Sequence, residues 1–469
     1  MSKRSLGTTL ILFTVAALFL ATIPAFADSQ VRIVRLSNVE GTVKVDRNTG
    51  EGYENAFLNM PMVEGMKLAT KDDGRAEIEF EDGSTLRVTP KTTLEFMALS
   101  LRDSGARVTI MTLRAGQAYV NYLAKQKEEE FKIAFSNETI PLTRAAHLRV
   151  DVDSGDAVVA VFKGDVQVQG PSGTFDLSKN NSATFNLLAG DTYTIAKNIE
   201  EDPFDDWDKQ QTKYQQEYAR KGSYNDMPYG YGVSDLNYYG SYYNVAGYGW
   251  MWQPYFTGVG WSPFADGAWL FYPGFGYTWV SAYPWGWMPY RYGSWAFVPG
   301  YGWMWAPGAF GGGWYTVPRF TNPPNRFPVL RPPQQGSATV TVGHPVLTTG
   351  GPPRRVLVQN GSAGLGVPRG TVNNLGKVSR EVQRSGFATI RSVPPSRGMS
   401  PVTYGSAASV GSHVSGGPSR ATAGSHVNTG SHPSSGSTAG GHMSTGGGGG
   451  ARMGGSSGGG HSSPPSRPR

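Results

Sequence analysis

From Val31 to Ile199 apolar and polar residues alternate with a period of two, the spacing of half-buried strands. In Arg75-Ala76-Glu77-Ile78-Glu79-Phe80 the Ala, Ile and Phe share one face and the charges share the other. Asp82-Gly83 follows, a pair suited to the positive φ angles of a tight hairpin, and Thr85-Leu86-Arg87-Val88 resumes the alternation. Leu148, Val150 and Val152 alternate in the same way with His147, Arg149, Asp151 and Asp153. A turn glycine feeding a strand recurs in Glu40-Gly41-Thr42-Val43-Lys44-Val45, Ala115-Gly116-Gln117-Ala118-Tyr119-Val120 and Lys163-Gly164-Asp165-Val166-Gln167-Val168. Many short strands without a long 3.6-period stretch predict an all-β domain over 28–200, a β-sandwich or a β-solenoid-like stack. One helix closes it over 201–222. Asp202 can cap that helix, Pro203 suits its first position, and Arg220, Lys221 and Gly222 suit its end. Phe204, Trp207, Tyr214 and Tyr218 form its sheet-facing stripe.

The pattern changes over 223–320. Trp261-Ser262-Pro263-Phe264, followed by Gly267, Trp269, Phe271, Pro273, Gly274, Gly276 and Trp279, is repeated by Trp287-Met288-Pro289-Tyr290, followed by Gly293, Trp295, Phe297, Pro299, Gly300, Gly302 and Trp305. The offset is 26 residues throughout. A half-repeat, Tyr248-Gly249-Trp250-Met251-Trp252, echoes Tyr301-Gly302-Trp303-Met304-Trp305. Eleven of the 12 Trp residues lie between 250 and 314, so the clustering is a design feature. Two uses compete for the rings: the core of a small β region poor in Leu and Ile, or exposed platforms stacking on sugars. Trp261, Trp269, Trp279, Trp287, Trp295 and Trp305 are the candidate glycan- or partner-binding residues.

From 321 to 469 the chain is rich in Pro, Gly, Ser and His, a composition that predicts disorder. Val340–Val346 and Val356–Val358 are the only places in it where brief strands are expected. The formal charge of +7 conceals an asymmetry: residues 28–226 carry a net −8, and residues 321–469 a net +13. The basic side chains thus lie in a tail that can touch an anionic envelope surface, and nucleic acid is not an expected partner.

Residues 1–27 read as a signal peptide. Lys3 and Arg4 precede an apolar run from Leu6 to Ile23, and Ala25-Phe26-Ala27 supplies a cleavage site before Asp28. An uncleaved anchor is the alternative.

The order Val39-Glu40-Gly41-Thr42-Val43, Val63-Glu64-Gly65-Met66-Lys67-Leu68-Ala69-Thr70, Gly74-Arg75-Ala76-Glu77-Ile78 and Glu81-Asp82-Gly83-Ser84-Thr85-Leu86-Arg87-Val88 resembles the FecR family of periplasmic domains. Phe162–Val168 and Leu188-Ala189-Gly190-Asp191 are similar to its closing strands, so the resemblance spans about 31–200. FecR itself relays signals from outer-membrane transporters to a sigma factor through a segment ahead of its membrane helix. Nothing comparable precedes the apolar run here, so the resemblance implies an exported, non-catalytic interaction module and not that direct role. Residues 225–315 resemble an uncharacterised bacterial family with W-x-P-Y, G-x-W and Y-G-W-x-W repeats, which implies architecture alone.

There are no cysteines, which excludes disulfide scaffolds, thiolate metal sites and catalytic thiols. No nucleophile-elbow, zincin, P-loop or dinucleotide-binding pattern is present. His147, Arg149, Asp151 and Asp153 could pass for an acid/base or metal set, but alternation on a solvated sheet face produces them equally well. His413, His426, His432, His442 and His461 are dispersed along the tail, where closing floppy loops opposes a tight metal site. No enzyme activity, cofactor or metal is expected. The sequence points to an exported periplasmic or cell-surface protein, an interaction, scaffold or sensory module whose partner is an envelope protein. The alternative is a glycan- or cell-wall-binding protein that uses the aromatic repeats on a cell-surface polysaccharide.

Overall fold

A computed structural model describes residues 32–391 apart from 126–127, 223, 225–226, 228, 311–318, 326, 328–330, 335–338 and 344–354. The signal peptide, the tail beyond 391 with its histidines, and residues 344–346 of the expected strand Val340–Val346 lie outside the described residues. The fold is all-β. Seventeen strands between Val34 and Ala196 form two sheets joined through one long strand, Arg107–Tyr122. That strand pairs with Thr93–Leu101 in one sheet up to Ala115, and with Ala146–Val152 in the other from Gly116 onward.

The three recurring glycines mark the places where the chain changes sheets. Gly41 follows Val34–Glu40 in one sheet and precedes Val43–Asp46 in the other. Gly164 separates Asp156–Lys163 from Asp165–Gly170 in the same way. All three have positive φ, at 63°, 82° and 81°. A Cβ would fall 2.2 Å from the Asp73 carbonyl oxygen at Gly41, 2.5 Å from Thr92 Cα at Gly116 and 2.5 Å from the Ala145 carbonyl oxygen at Gly164. Only glycine turns these corners without moving the neighbouring backbone. Between the sheets lies an aliphatic core that includes Leu36, Ile78, Leu86, Val120 and Val150 together with Val45, Leu68, Leu94, Met111 and Ile133.

Helix α1 (Asp205–Tyr218) starts three residues after the expected cap. The Asp202 carboxylate accepts from the Phe204 N–H and the Asp205 carboxylate from the Asp202 N–H, so the two acids close a reciprocal turn ahead of the helix. Trp207 and Tyr214 are buried, as the stripe predicts.

The 26-residue repeat is structural. Each copy contributes one hairpin: Gly267–Tyr272 with Gly276–Ser281, and Tyr292–Val298 with Gly302–Phe310. The turns match residue for residue, with positive φ at Gly274 and Gly276 in one and at Gly300 and Gly302 in the other. The cross-strand pairs match too, Trp269 opposite Trp279 and Trp295 opposite Trp305. The hairpins nonetheless belong to different sheets. The second joins the half-repeat hairpin Gly240–Val245 and Gly249–Pro254 through Trp252 opposite Trp305, whereas the first pairs with Val340–Val342. Two further helices punctuate the region, α2 (Val233–Tyr239) and the single turn α3 (Met288–Arg291).

Disorder from residue 321 onward does not hold for 355–391. Arg355–Gln359 and Phe387–Arg391 pair antiparallel, with helix α4 (Leu375–Ser385) between them. Composition misled here because the apolar residues are few but well spaced: Val356, Val358, Leu375, Val382, Ala388 and Ile390 are all buried. Their cost of ordering is met by docking on the aromatic region, where Ala363 accepts from the Trp285 indole and Val367 from the Tyr239 hydroxyl. No described helix is long and apolar enough to cross a membrane.

Candidate functional site

The six candidate tryptophans are core residues. Trp261 is 8% exposed and Trp269, Trp279, Trp287, Trp295 and Trp305 are 2% or less, so none presents a ring face on which a sugar could stack. Trp285, which the repeat did not single out, stands at their centre. It stacks on Tyr283 at 4.9 Å with an interplanar angle of 4°, and it meets Trp252, Trp261 and Trp295 at 4.9–6.1 Å. Among the described residues, the substantially exposed rings of this region are Tyr243, Tyr248, Trp250 and Tyr301.

The charged face of the FecR-like sheet is also not solvated. His147, Arg149 and Asp151 lie under the start of α1 and the turn before it. Arg149 Nη1 donates to Asp205 Oδ1 at 2.8 Å and its Nη2 to the Glu200 carbonyl at 3.0 Å, while His147 Nε2 lies 2.8 Å from Asp208 Oδ2. Gln117 Nε2 reaches both Asp151, at 3.2 Å, and Asp202, at 2.8 Å. Burial raises the Asp151 carboxyl, against the Gln117 hydrogen bond and with the help of neighbouring Asp202. These residues seat a helix on a sheet, and the acid/base appearance of their spacing arises from that task. Asp153 instead binds the backbone of its own turn.

Further along the same face, charges from four parts of the chain meet in one buried junction. Arg87 Nε donates to Glu77 Oε2 at 2.7 Å and Nη1 to Asp208 Oδ1 at 2.6 Å, joining the hairpin to α1. Arg35 Nη1 lies 3.0 Å from Glu79 Oε2 and 2.7 Å from Asp235 Oδ2 of α2. Its Nη2 donates to the Pro284 carbonyl in the aromatic region at 2.8 Å. From the C-terminal arm, residues 355–391, Arg369 forks onto both Asp235 oxygens at 3.0 and 2.9 Å and donates to Glu77 Oε1 at 2.7 Å and the Ser37 carbonyl at 2.8 Å. Tyr214 of α1 donates to Asp235 Oδ1 at 2.8 Å. Asn59 adds two bonds to the Ser281 and Tyr283 carbonyls.

Glu77 and Glu79 project from one strand, two residues apart, into different fields. Burial would raise Glu77, but Arg87 and Arg369 outweigh it and hold the carboxyl at about 2. Burial pushes Glu79 up, Arg35 pulls it back, and Asp235 and Glu77 leave it at about 7. The arrangement is a polar docking face with its charges matched across the contact. The described residues hold no group of three or more His, Asp or Glu placed to bind a metal.

Sequence reading missed this junction because alternation marks Arg35, Glu77, Glu79 and Arg87 as the solvent side, and because Arg369 lies in the segment expected to be disordered. One signal was available. Asp235 and Asp266 are the only acidic residues in 227–320, and isolated charges in so apolar a stretch need partners.

No curated protein matches the chain. Two crystal structures of a "putative anti-sigma factor" from Parabacteroides distasonis ATCC 8503 share 15% and 17% identity with it. Each match covers 30% of this chain and 63% of the other, less than two thirds of its length, at a TM-score of 0.26, too low to support any functional argument. Two family models do match: FecR protein over residues 66–167, and a family of unknown function, DUF6600, over residues 233–322.

Proposed function

We propose that the chain is an exported, non-enzymatic protein of the cell envelope, a sensory or regulatory module that acts by binding another envelope protein. The observation that carries this reading is the FecR match over 66–167, together with the use its sheet makes of a charged face. That face already binds protein within this chain: α1, the aromatic region and the arm all dock on it through ion pairs. A surface organised for protein contact, with core rings in place of exposed ones, favours a protein partner over a polysaccharide.

Two measurements test the reading. Mass spectrometry of the protein from a cell-envelope fraction should find Asp28 at the N-terminus. Crosslinking in intact cells followed by purification should give a defined protein adduct that persists in high salt. Retention in the cytoplasm with Met1 intact, or binding to isolated peptidoglycan or surface polysaccharide with no protein adduct, would overturn it.

A further inference from the structure

We propose that one end of the FecR-like sandwich holds a calcium ion, with Glu138 and Asp191 as its carboxylate ligands and the turns around them supplying neutral oxygens. The site lies apart from the charged junction and does not depend on the partner reading above.

Three turns converge there. Ser136 and Asn137 join Glu130–Phe135 to Glu138–Pro141, and Pro171 and Ser172 join Asp165–Gly170 to Gly173–Ser178, all in the sheet that contains Thr93–Leu101. Asp191 belongs to the other sheet, where it leads into the strand Thr192–Ala196. Its polar atoms draw the turns together. Asn137 Nδ2 donates to Asp191 Oδ2 at 2.8 Å, Ser136 Oγ to Oδ1 at 3.5 Å, and Ser172 Oγ to the Asp191 carbonyl at 3.1 Å. Thr139 pairs with Gln169, which brings Glu138 beside Gly170. A Cβ at residue 170 would collide with the Glu138 carboxylate, so the glycine leaves the space in which that carboxylate lies.

Glu138 sets this end apart from an ordinary cluster of turns. The residue is 2% exposed, and its buried Oε1 has no hydrogen-bond partner. Asp191 is equally buried, at 1%. Burial raises the Glu138 carboxyl, and the charge that acts on it, that of Asp191, has the same sign and raises it further. Among the described residues no Lys, Arg or His forms an ion pair with either acid. Other buried acids of this half have a guanidinium each, as Glu81 has Arg32, Glu77 has Arg87 and Asp205 has Arg149. Two buried carboxylates that repel one another, one with an oxygen unpaired, form a negative site that a cation completes.

The donor chemistry selects the ion. Carboxylate oxygens, the Asn137 amide oxygen and the Ser136 and Ser172 hydroxyls make a hard set without imidazole or thiolate, which suits calcium over zinc. Ser136 and Asn137 are exposed, so water can reach the site and fill the remaining positions. Turns of this kind match the flexible coordination of calcium by about six to eight oxygens better than the strict octahedron of magnesium. With only two carboxylates the expected dissociation constant is that of extracellular calcium modules, about 0.1–1 mM.

Calorimetric titration of the mature chain with calcium chloride at constant ionic strength should show one ion per chain, half-saturated between about 0.1 and about 1 mM. At about 10 mM calcium the folding equilibrium should then shift toward the native state by about 10- to 100-fold, read as a rise in melting temperature over sodium chloride of equal ionic strength. Glu138→Gln should lose that rise. Without calcium the same variant should melt no lower than the unmutated chain, because it removes a buried charge that has no partner. Asp191→Asn should lose the calcium response as well, whereas Asp176→Asn, at an exposed position on the neighbouring hairpin, should keep it. No calcium-dependent rise in the unmutated chain overturns the proposal. So does a rise that persists in Glu138→Gln, which places the ion elsewhere, or a calcium-free Glu138→Gln chain that melts below the unmutated one, which shows that the carboxylate already has its partner. An equal response to magnesium overturns the choice of ion.

Discussion

The two halves of this protein reach the same end, a buried core between β-strands, with different materials. The FecR-like half interdigitates Val, Leu, Ile and Met between two sheets and relies on three glycine corners to move the chain from one sheet to the other. The aromatic half has short hairpins, so each contact must bury a large area, about 150–250 Å² per ring. Its rings also carry polar tips that fasten the backbone. Trp252 donates to the Leu236 carbonyl, Trp285 to Ala363, Trp305 to Tyr292, and Tyr272 to Pro61 across in the FecR-like half. An aliphatic core depends on regular layers, whereas an aromatic core with hydrogen-bonding tips can hold irregular loops, and here it holds the arm.

The largest test of that contrast is Trp285→Ala against Leu86→Ala. Both residues are fully buried, with no exposed surface. The tryptophan should cost about 3–5 kcal/mol and also leave the Ala363 carbonyl without its donor, detaching the arm, whereas the leucine should cost about 2–5 kcal/mol and leave the arm in place. Chemical denaturation gives both energies and limited proteolysis reads the arm. Equal loss of the arm in both variants would erase the distinction.

Next in size is the junction between the halves. Arg87→Met should cost about 3–5 kcal/mol, because it removes the guanidinium that lies between the Glu77 and Asp208 carboxylates in a buried site. Double replacement of Arg87 and Glu77 by apolar residues should recover part of that loss, as a double-mutant cycle would record. Acid gives a smaller, graded version. Glu77 sits at about 2, below the ordinary carboxyl range, so its contribution is present above about pH 4.5 and is lost as pH falls toward 2. Melting temperatures across that range should fall less steeply in Glu77→Gln than in the unmutated chain. The smallest expected effect is Trp250→Ala. This ring is 42% exposed, and its loss should change stability by less than about 0.5 kcal/mol.

The strands were legible because one face of each is apolar, and the 26-residue period placed both aromatic hairpins and their turns. The function of the other face was not legible. Alternation distinguishes core from non-core but cannot separate a solvated Arg87 from one paired to Glu77 and Asp208, since that depends on α1 arriving from more than a hundred residues away. Composition likewise identified Trp261 and Trp287 as important without saying that they face inward. Residues 355–391 escaped because their apolar positions suffice only against a ready-made aromatic surface, which no local window contains. Arg369, which bridges Glu77 and Asp235, had no local signal at all.

On this account the FecR-like half, the aromatic half and the arm form one cooperative unit held by the charged junction. Eleven of the 12 tryptophans lie between 250 and 314, so tryptophan fluorescence reports the aromatic half, while far-ultraviolet circular dichroism reports all of the strands. Thermal unfolding of the mature chain followed by both signals should give a single transition with coincident midpoints. Two separated transitions, with fluorescence changing while most of the β signal persists, would contradict it.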